Sequence, residues 1–373
     1  MFENLEVPKD LYPADPRFGV GPSLIPEGHV FNLYETGKTL LGTSHRKKAV
    51  INLCKEVQDG LRSYFNLPSN YEVVMGNGGA TFLFDMIGLG LVKEKSVHFT
   101  TGEFSTKWYD SHANIPWIDT ELRNVDFGEG QNPVNDSKAD MICCTLNETS
   151  TGVMINSLPN VGDDKILAVD ATSGAGQIAV DFNNVDLYFF SPQKVFASDG
   201  GFYVCIMSPK AVKRAREISK EKRYIPRIMD WNFAIDNSIK SQTYNTPSIS
   251  TIFLLNEQIK LMNTLGEKEV IKLARKKAKV IYDWANEKEY LSCFVKDETF
   301  RSIAVATVNL DPRFDANQLA FKLREQEIVL GIEGYRKLGK NQFRISLFHN
   351  VSLEDLVKLT KIISYAIEGE MNA

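Results

Sequence analysis

The sequence predicts an α/β fold: a mostly parallel sheet with one antiparallel strand, followed by a smaller α+β domain at the C-terminus. Three observations predict it. Short apolar runs alternate with stretches of helical spacing through the first two thirds of the chain. Those runs are apolar at successive positions, as suits strands covered by helices on both faces. And the link from Phe190 to Phe202, about eleven residues with Pro192, Gly200 and Gly201 inside it, is too short for a crossover to a parallel neighbour. The strand at 202–207 is therefore expected to run antiparallel.

The elements follow in order. Residues 1–26 hold five of the fourteen prolines and read as an irregular arm. Residues 44–65 have helical spacing, with Val50, Leu53, Cys54, Val57 and Leu61 on one face. A strand at 71–75 leads through Gly76-Asn-Gly-Gly-Ala-Thr81 into a helix ending near Leu91. Further strands are expected at 96–100, 140–146, 166–170 and 185–190. After Asn245-Thr246-Pro247, read as an N-cap followed by proline at the first helical position, helices are expected at 255–265 and 268–287. Strands near 303–308 and 342–347 and helices at 316–325 and 353–368 complete the smaller domain. A chain of 373 residues exceeds one ordinary core. The expected division is an arm at 1–16, a large domain at 17–255 and a small domain at 256–373.

Hydrophobic content of 43% and charged content of 24% are those of a globular protein. The net charge of −4 argues against a nucleic-acid partner. Five cysteines without a C-x-x-C pair suggest a reducing compartment and no metal or disulfide framework. The start, Met1-Phe-Glu-Asn-Leu-Glu, lacks the basic and apolar regions of a signal peptide, and no apolar run reaches the ~18 residues of a membrane span. A cytoplasmic protein is expected.

Chemistry begins at Ser191-Pro-Gln-Lys194, which follows an apolar strand and enters a glycine turn. Open α/β sheets bind ligands at the carboxyl ends of their strands. An amine held there loses its proton through desolvation and can attack a carbonyl. Most single lysines are solvated, so the neighbours decide. Asp170 ends the strand at 166–170 and would emerge on the same edge, where a carboxylate can keep a pyridine nitrogen protonated; an isolated Asp more often starts a turn. The glycines of 76–81 let backbone approach an anion at a helix start, although a plain tight turn has the same composition. Gly42-Thr-Ser-His45-Arg46-Lys47-Lys48 places cations where the helix dipole disfavours them, and such conflicts tend to mark functional sites. In the C-terminal part, Arg336 lies in a glycine-bounded loop and Arg344 in an alternating strand; a bidentate arginine is the usual grip for a carboxylate.

Taken in order, 17–23, 42–46, 76–81, Asn147-Glu-Thr-Ser-Thr-Gly152, Val169-Asp-Ala-Thr-Ser-Gly174, Ser191 to Gly201 and Gln242-Thr-Tyr-Asn-Thr-Pro247 resemble the phosphoserine aminotransferase family, nearest its actinobacterial and archaeal-like branch. The resemblance covers essentially the whole chain. It implies a class V, fold-type-I enzyme with a seven-stranded sheet, using pyridoxal 5′-phosphate, and a homodimer with shared active sites. The implied reaction moves an amino group between glutamate and 3-phosphohydroxypyruvate in serine biosynthesis. By position, Lys194 is the Schiff-base lysine and Asp170 the partner of the ring nitrogen. Thr149 lies on the ring's hydroxyl side and Phe104 stacks on the ring. Ala80, Thr81 and Gln193 hold the cofactor phosphate, with Asn245 and Thr246 of the neighbouring subunit. Arg344 takes the α-carboxylate, and His45, Arg46 and Arg336 the substrate phosphate or distal carboxylate. Many family members carry His-Arg where this chain has Tyr335-Arg336, which removes one cationic donor.

The alternatives are an alanine–glyoxylate or serine–glyoxylate aminotransferase, which would not need the cations at 45–46. A cysteine desulfurase would need a loop thiol, whereas Cys293 reads as part of a strand. A non-catalytic relative of the fold would not need the Lys194, Asp170 and Arg344 set.

Overall fold

The computed structural model describes residues 1–3 and 5–372. Its large sheet has seven strands: β1 (Glu72–Asn77), β2 (Lys95–Thr100), β3 (Asp119–Asn124), β4 (Met141–Thr145), β5 (Ile166–Asp170), β6 (Leu187–Phe190) and β7 (Phe202–Met207). They lie in the order β1-β7-β6-β5-β4-β2-β3. As the short 190–202 link requires, β7 is antiparallel to both β6 and β1. The remaining pairings are parallel. Every residue of β4 to β7 is buried, because both faces are covered. Ile142 and Cys144 pack on one face with Val73 and Val204; Met141 and Cys143 pack on the other with Trp108 and Phe189.

The strand β3 was not expected from the sequence. Its residues, Asp-Thr-Glu-Leu-Arg-Asn, show no apolar run because it is an edge strand facing solvent. Its charges pair locally: Lys95 reaches Asp119 at 3.1 Å and Glu121 at 3.0 Å, and Arg123 reaches Glu121 at 2.9 Å. The opposite edge, β1, is closed by side chains. The Met75 amide donates to Ser238 Oγ (3.0 Å), and Gln58 Nε2 donates to the Val73 carbonyl (2.8 Å).

Among the described residues ten α-helices surround the sheets: α1 (Glu27–Leu40), α2 (Lys48–Tyr64), α3 (Gly79–Leu91), α4 (Glu103–Ala113), α5 (Pro209–Ile218), α6 (Trp231–Ser238), α7 (Ile249–Leu265), α8 (Glu267–Glu287), α9 (Ala316–Glu325) and α10 (Leu353–Met371). Two expected starts are corrected. The helix expected from 44 begins at Lys48, so His45 and Arg46 precede it in a turn and do not oppose its dipole from within. The cap expected at Asn245-Thr246-Pro247 lies later: Ser248 is the N-cap of α7, accepting from the Thr251 amide, and Pro247 stands before it. Serine's short hydroxyl serves that role directly.

A second sheet, β8 (Leu291–Cys293), β9 (Val305–Leu310) and β10 (Gln342–Ser346), is antiparallel throughout, and Cys293 lies in its edge strand. The N-terminal segment stitches the two sheets together. The Phe18 amide donates to the Leu330 carbonyl (2.9 Å), the Ser346 amide to Phe18 (3.1 Å) and the Ser23 amide to Gln193 (2.9 Å). The segment thus runs from the second sheet to the loop that carries Lys194.

Candidate active site

β1, β4, β5 and β6 all point their carboxyl ends to one edge of the sheet, since β1 and β6 share the antiparallel neighbour β7. That edge holds a cavity of about 310 Å³ lined by Ala80, Thr81, Phe104, Thr149, Asp170, Gln193, Lys194 and Arg344, among others. Eight expected site residues from six segments therefore meet in one place. Lys194 and Asp170 share it.

Lys194 is only 6% exposed. Its Nζ donates to Thr149 Oγ1 at 2.8 Å and stands 5.2 Å from the Phe104 ring centre. Burial pulls its pKa down to about 8, against the pull of Asp170 and Glu148 upward. Thr149 Oγ1 donates to Ser173 Oγ (2.9 Å), which also receives Asn147 Nδ2 (2.8 Å) and donates to the Asn147 carbonyl (2.8 Å). Gly21 presses on the lysine stem: at φ +152°, an added Cβ would lie 2.8 Å from Lys194 Cε.

Asp170 is fully enclosed, and burial raises its pKa while Thr172 lowers it. Its Oδ1 accepts from the Thr172 amide (2.9 Å) and hydroxyl (2.5 Å). Among the described residues no donor reaches Oδ2. On the other side, α3 starts at Gly79 without a side-chain cap, and first-turn amides have no acceptor within their helix. These amides border the cavity beside Gln193, whose Oε1 is buried without a partner.

Arg344 projects from β10 between the buried Phe343 and Ile345. Nη1 donates to the Thr149 carbonyl at 3.1 Å, while Nε is buried and unpartnered. Burial lowers its pKa to about 10. The Tyr335 ring lies 5.1 Å below its guanidinium carbon and 5.8 Å from the Phe104 ring.

The residues present fit an aldehyde-bearing, phosphorylated pyridine. A buried amine, a carboxylate with one free oxygen and an uncapped helix start line one cavity, and polar atoms at Gln193, Thr145 and Arg344 lack partners. Buried polar atoms are rarely left unpaired without a ligand or water to satisfy them.

A second group of expected residues lies elsewhere. His45 Nδ1 contacts Thr246 Oγ1 at 3.3 Å. Arg46 donates to Asn237 Oδ1 (3.1 Å), to the Tyr244 carbonyl (3.2 Å) and to Gln242 Oε1. The Thr246 carbonyl accepts from Asn77 Nδ2 at 2.8 Å. None of His45, Arg46, Asn245 and Thr246 lines the cavity. Arg336 does not line it either; it is exposed in the 3-10 turn after Tyr335.

The family description "Aminotransferase class-V" matches residues 29–359. A phosphoserine aminotransferase of Rhodococcus opacus is 43% identical over 364 residues, covering 97% of each chain. One from Nocardioides sp. is 41% identical, covering 99% of this chain and all of the relative. The chain belongs to the phosphoserine aminotransferase family. A crystal structure of the Cytophaga hutchinsonii phosphoserine aminotransferase superposes with a TM-score of 0.86 at 26% identity, covering 93% of this chain and 98% of that one. The seven-stranded, mostly parallel sheet with one antiparallel strand is the fold-type-I arrangement of these transaminases.

For a phosphoserine aminotransferase, the sequence left one buried group without a role. Glu148, fully buried, accepts five hydrogen bonds: from the Phe104 and Ser105 amides (3.3 and 2.9 Å), the Ser105 hydroxyl (2.8 Å), and the Ser150 amide and hydroxyl (3.1 and 2.7 Å). It ties the start of α4 to the turn carrying Thr149. Its only sequence signal was its place inside Asn147-Glu-Thr.

Proposed function

We propose that the chain transfers an amino group between glutamate and 3-phosphohydroxypyruvate, giving O-phospho-L-serine and 2-oxoglutarate, with pyridoxal 5′-phosphate held in the Lys194 cavity. One observation carries this reading: a buried amine and a buried carboxylate line the same cavity, beside an arginine whose Nε has no partner.

Bound there, pyridoxal phosphate supplies a carbonyl for the substrate amine and a protonated ring that takes up electron density from the α-carbon. Ala80, Thr81 and Gln193 hold the phosphate through the α3 amides and the Gln193 amide group. Asp170 keeps the proton on the ring nitrogen through Oδ2, Oδ1 being committed to Thr172. Phe104 covers the ring, and Thr149 serves its hydroxyl side. Lys194, with its pKa lowered to about 8, anchors the cofactor through its amine. Once free, the Lys194 amine would be a base able to take a proton from a substrate α-carbon near neutral pH and return it. Arg344 receives the α-carboxylate on Nε and its remaining Nη.

His45, Arg46 and Arg336 read the substrate phosphate or the distal carboxylate of glutamate. For the first two this requires a homodimer, in which His45, Arg46, Asn245 and Thr246 face the cavity of the second copy. Their grouping outside their own cavity supports that arrangement. So does α1, which exposes Val30 (49%) and Phe31 (60%), apolar surface of a kind that interfaces cover. Among the described residues no helix is long and apolar enough to cross a membrane; a cytoplasmic enzyme of serine biosynthesis is the setting we propose.

The test is a panel of amino donors. The purified protein is expected to turn over phosphoserine and glutamate far faster than alanine or serine. Equal rates on alanine and phosphoserine would assign it to the glyoxylate-linked aminotransferases instead.

A further inference from the structure

We infer that Tyr335 is a positioning residue that fixes the plane of the Arg344 guanidinium, and so sets the carboxylate-binding strength of the site. This rests on the carboxylate-binding role proposed for Arg344.

The guanidinium is poorly provided for by ordinary contacts. It is largely buried, makes one hydrogen bond to Thr149 O and leaves Nε without a partner. Among the described residues it forms no ion pair. A buried charge with so few partners costs free energy and is free to rotate. The Tyr335 ring, 5.1 Å from Cζ, is the other group that holds it. An aromatic face attracts a guanidinium, most strongly where water is excluded.

The ring abuts Phe104, and the segment that carries it is tied on both sides. The Phe104 ring stands 5.8 Å away at 55°. Upstream, the Arg344 amide donates to the Ile332 carbonyl at 2.9 Å and Glu333 bridges to Phe343. Downstream, Lys337 pairs with Glu103 in the first turn of α4. Tyr335 therefore joins the arginine of the second sheet to the aromatic wall of the first. With Nη1 engaged on Thr149 and the plane held by the ring, Nε and Nη2 are left for one carboxylate, a bidentate geometry.

The test compares Tyr335→Ala, Tyr335→Leu and Tyr335→Phe in the holoenzyme. Ala and Leu are expected to raise KM for glutamate and for phosphoserine by similar factors, about tenfold, with a smaller change in kcat. Calorimetric affinity for 2-oxoglutarate without an amino donor should weaken in parallel, while cofactor affinity stays unchanged. Phe keeps the face and should behave as wild type. Leu keeps the bulk, so it reports the lost interaction even where Ala disturbs folding. Wild-type KM in Tyr335→Leu would overturn the inference, as would a Phe variant as impaired as Ala. An effect on phosphoserine alone would overturn it in favour of a phosphate contact. A wild type indifferent to phosphate would sink the substrate assignment yet leave this test intact, because glutamate alone reports the grip of Arg344.

Discussion

The cavity around Lys194 and the cluster around Arg46 draw on similar residue types, yet they treat their arginines in opposite ways. In the cavity, Gln193 Oε1, Thr145 Oγ1 and Arg344 Nε are buried and unpaired, and Asp170 keeps one oxygen free. Around Arg46, an exposed guanidinium spends its donors on Asn237, Gln242 and Tyr244 of its own chain, although His45 beside it keeps a buried Nε2 without a partner. Unsatisfied buried groups carry a standing cost that a ligand removes. Satisfied exposed groups carry none, and they gain a task only when another surface is brought to them. On the reading proposed above, the first region serves a resident group and the second something that arrives.

Replacing Lys194 gives the largest effect that can break this contrast. Lys194→Ala is expected to lose at least ~10³-fold in turnover, since it removes both anchor and base. The visible absorbance of the Schiff base that Lys194 would form with the cofactor should vanish. Residual turnover near wild type, measured by coupled assay, would mean the cavity is not where the reaction occurs.

Arg46→Ala sharpens the contrast from the other side. Loss of one charge-assisted hydrogen bond to phosphate should raise KM for phosphoserine by about ten- to a hundredfold. Cofactor affinity should hold. Mixing this variant with Lys194→Ala should restore part of the activity if the cluster serves the other subunit's cavity, because one composite site then carries neither substitution. No recovery on mixing would place both groups in one chain.

Glu148→Gln gives the smallest effect. The Glu148 charge raises the Lys194 pKa, so neutralising it lets that pKa fall below about 8. The acid limb of the kcat profile should move to lower pH. A limb that stays in place would separate Glu148 from the electrostatics of the lysine and leave it a cap of α4, worth ~1 kcal/mol.

The parts of this molecule that were legible in the sequence are those whose signal is local. Asp170 ends an apolar strand and Lys194 follows another, and parallel strands bring such ends to one edge. Phe202–Met207 was read as antiparallel from the length of one link. What escaped depends on neighbours distant in sequence. β3 is polar because only one side of it meets another strand. Glu148 sits inside Asn147–Gly152, yet three of its five donors arrive with α4, some forty residues upstream in the chain. The start of α7 was misplaced because Pro247 suits the first helical position, and the hydroxyl of Ser248 decided otherwise. Tyr335 was noticed as a departure from a pattern; its place between Arg344 and Phe104 is a tertiary fact.

The two rims of the large sheet also bear on how one copy of this chain could meet another. One rim carries alternating charges from Asp119 to Arg123, neutralised by Lys95 and one another, and the other is stopped by Ser238 and Gln58. Charges along the first rim and hydrogen-bonded side chains along the second each discourage pairing with a foreign strand. Growth of the β-structure, the route to insoluble fibres, is thereby disfavoured at both ends, and helical surfaces such as that of α1 are better suited to a discrete assembly.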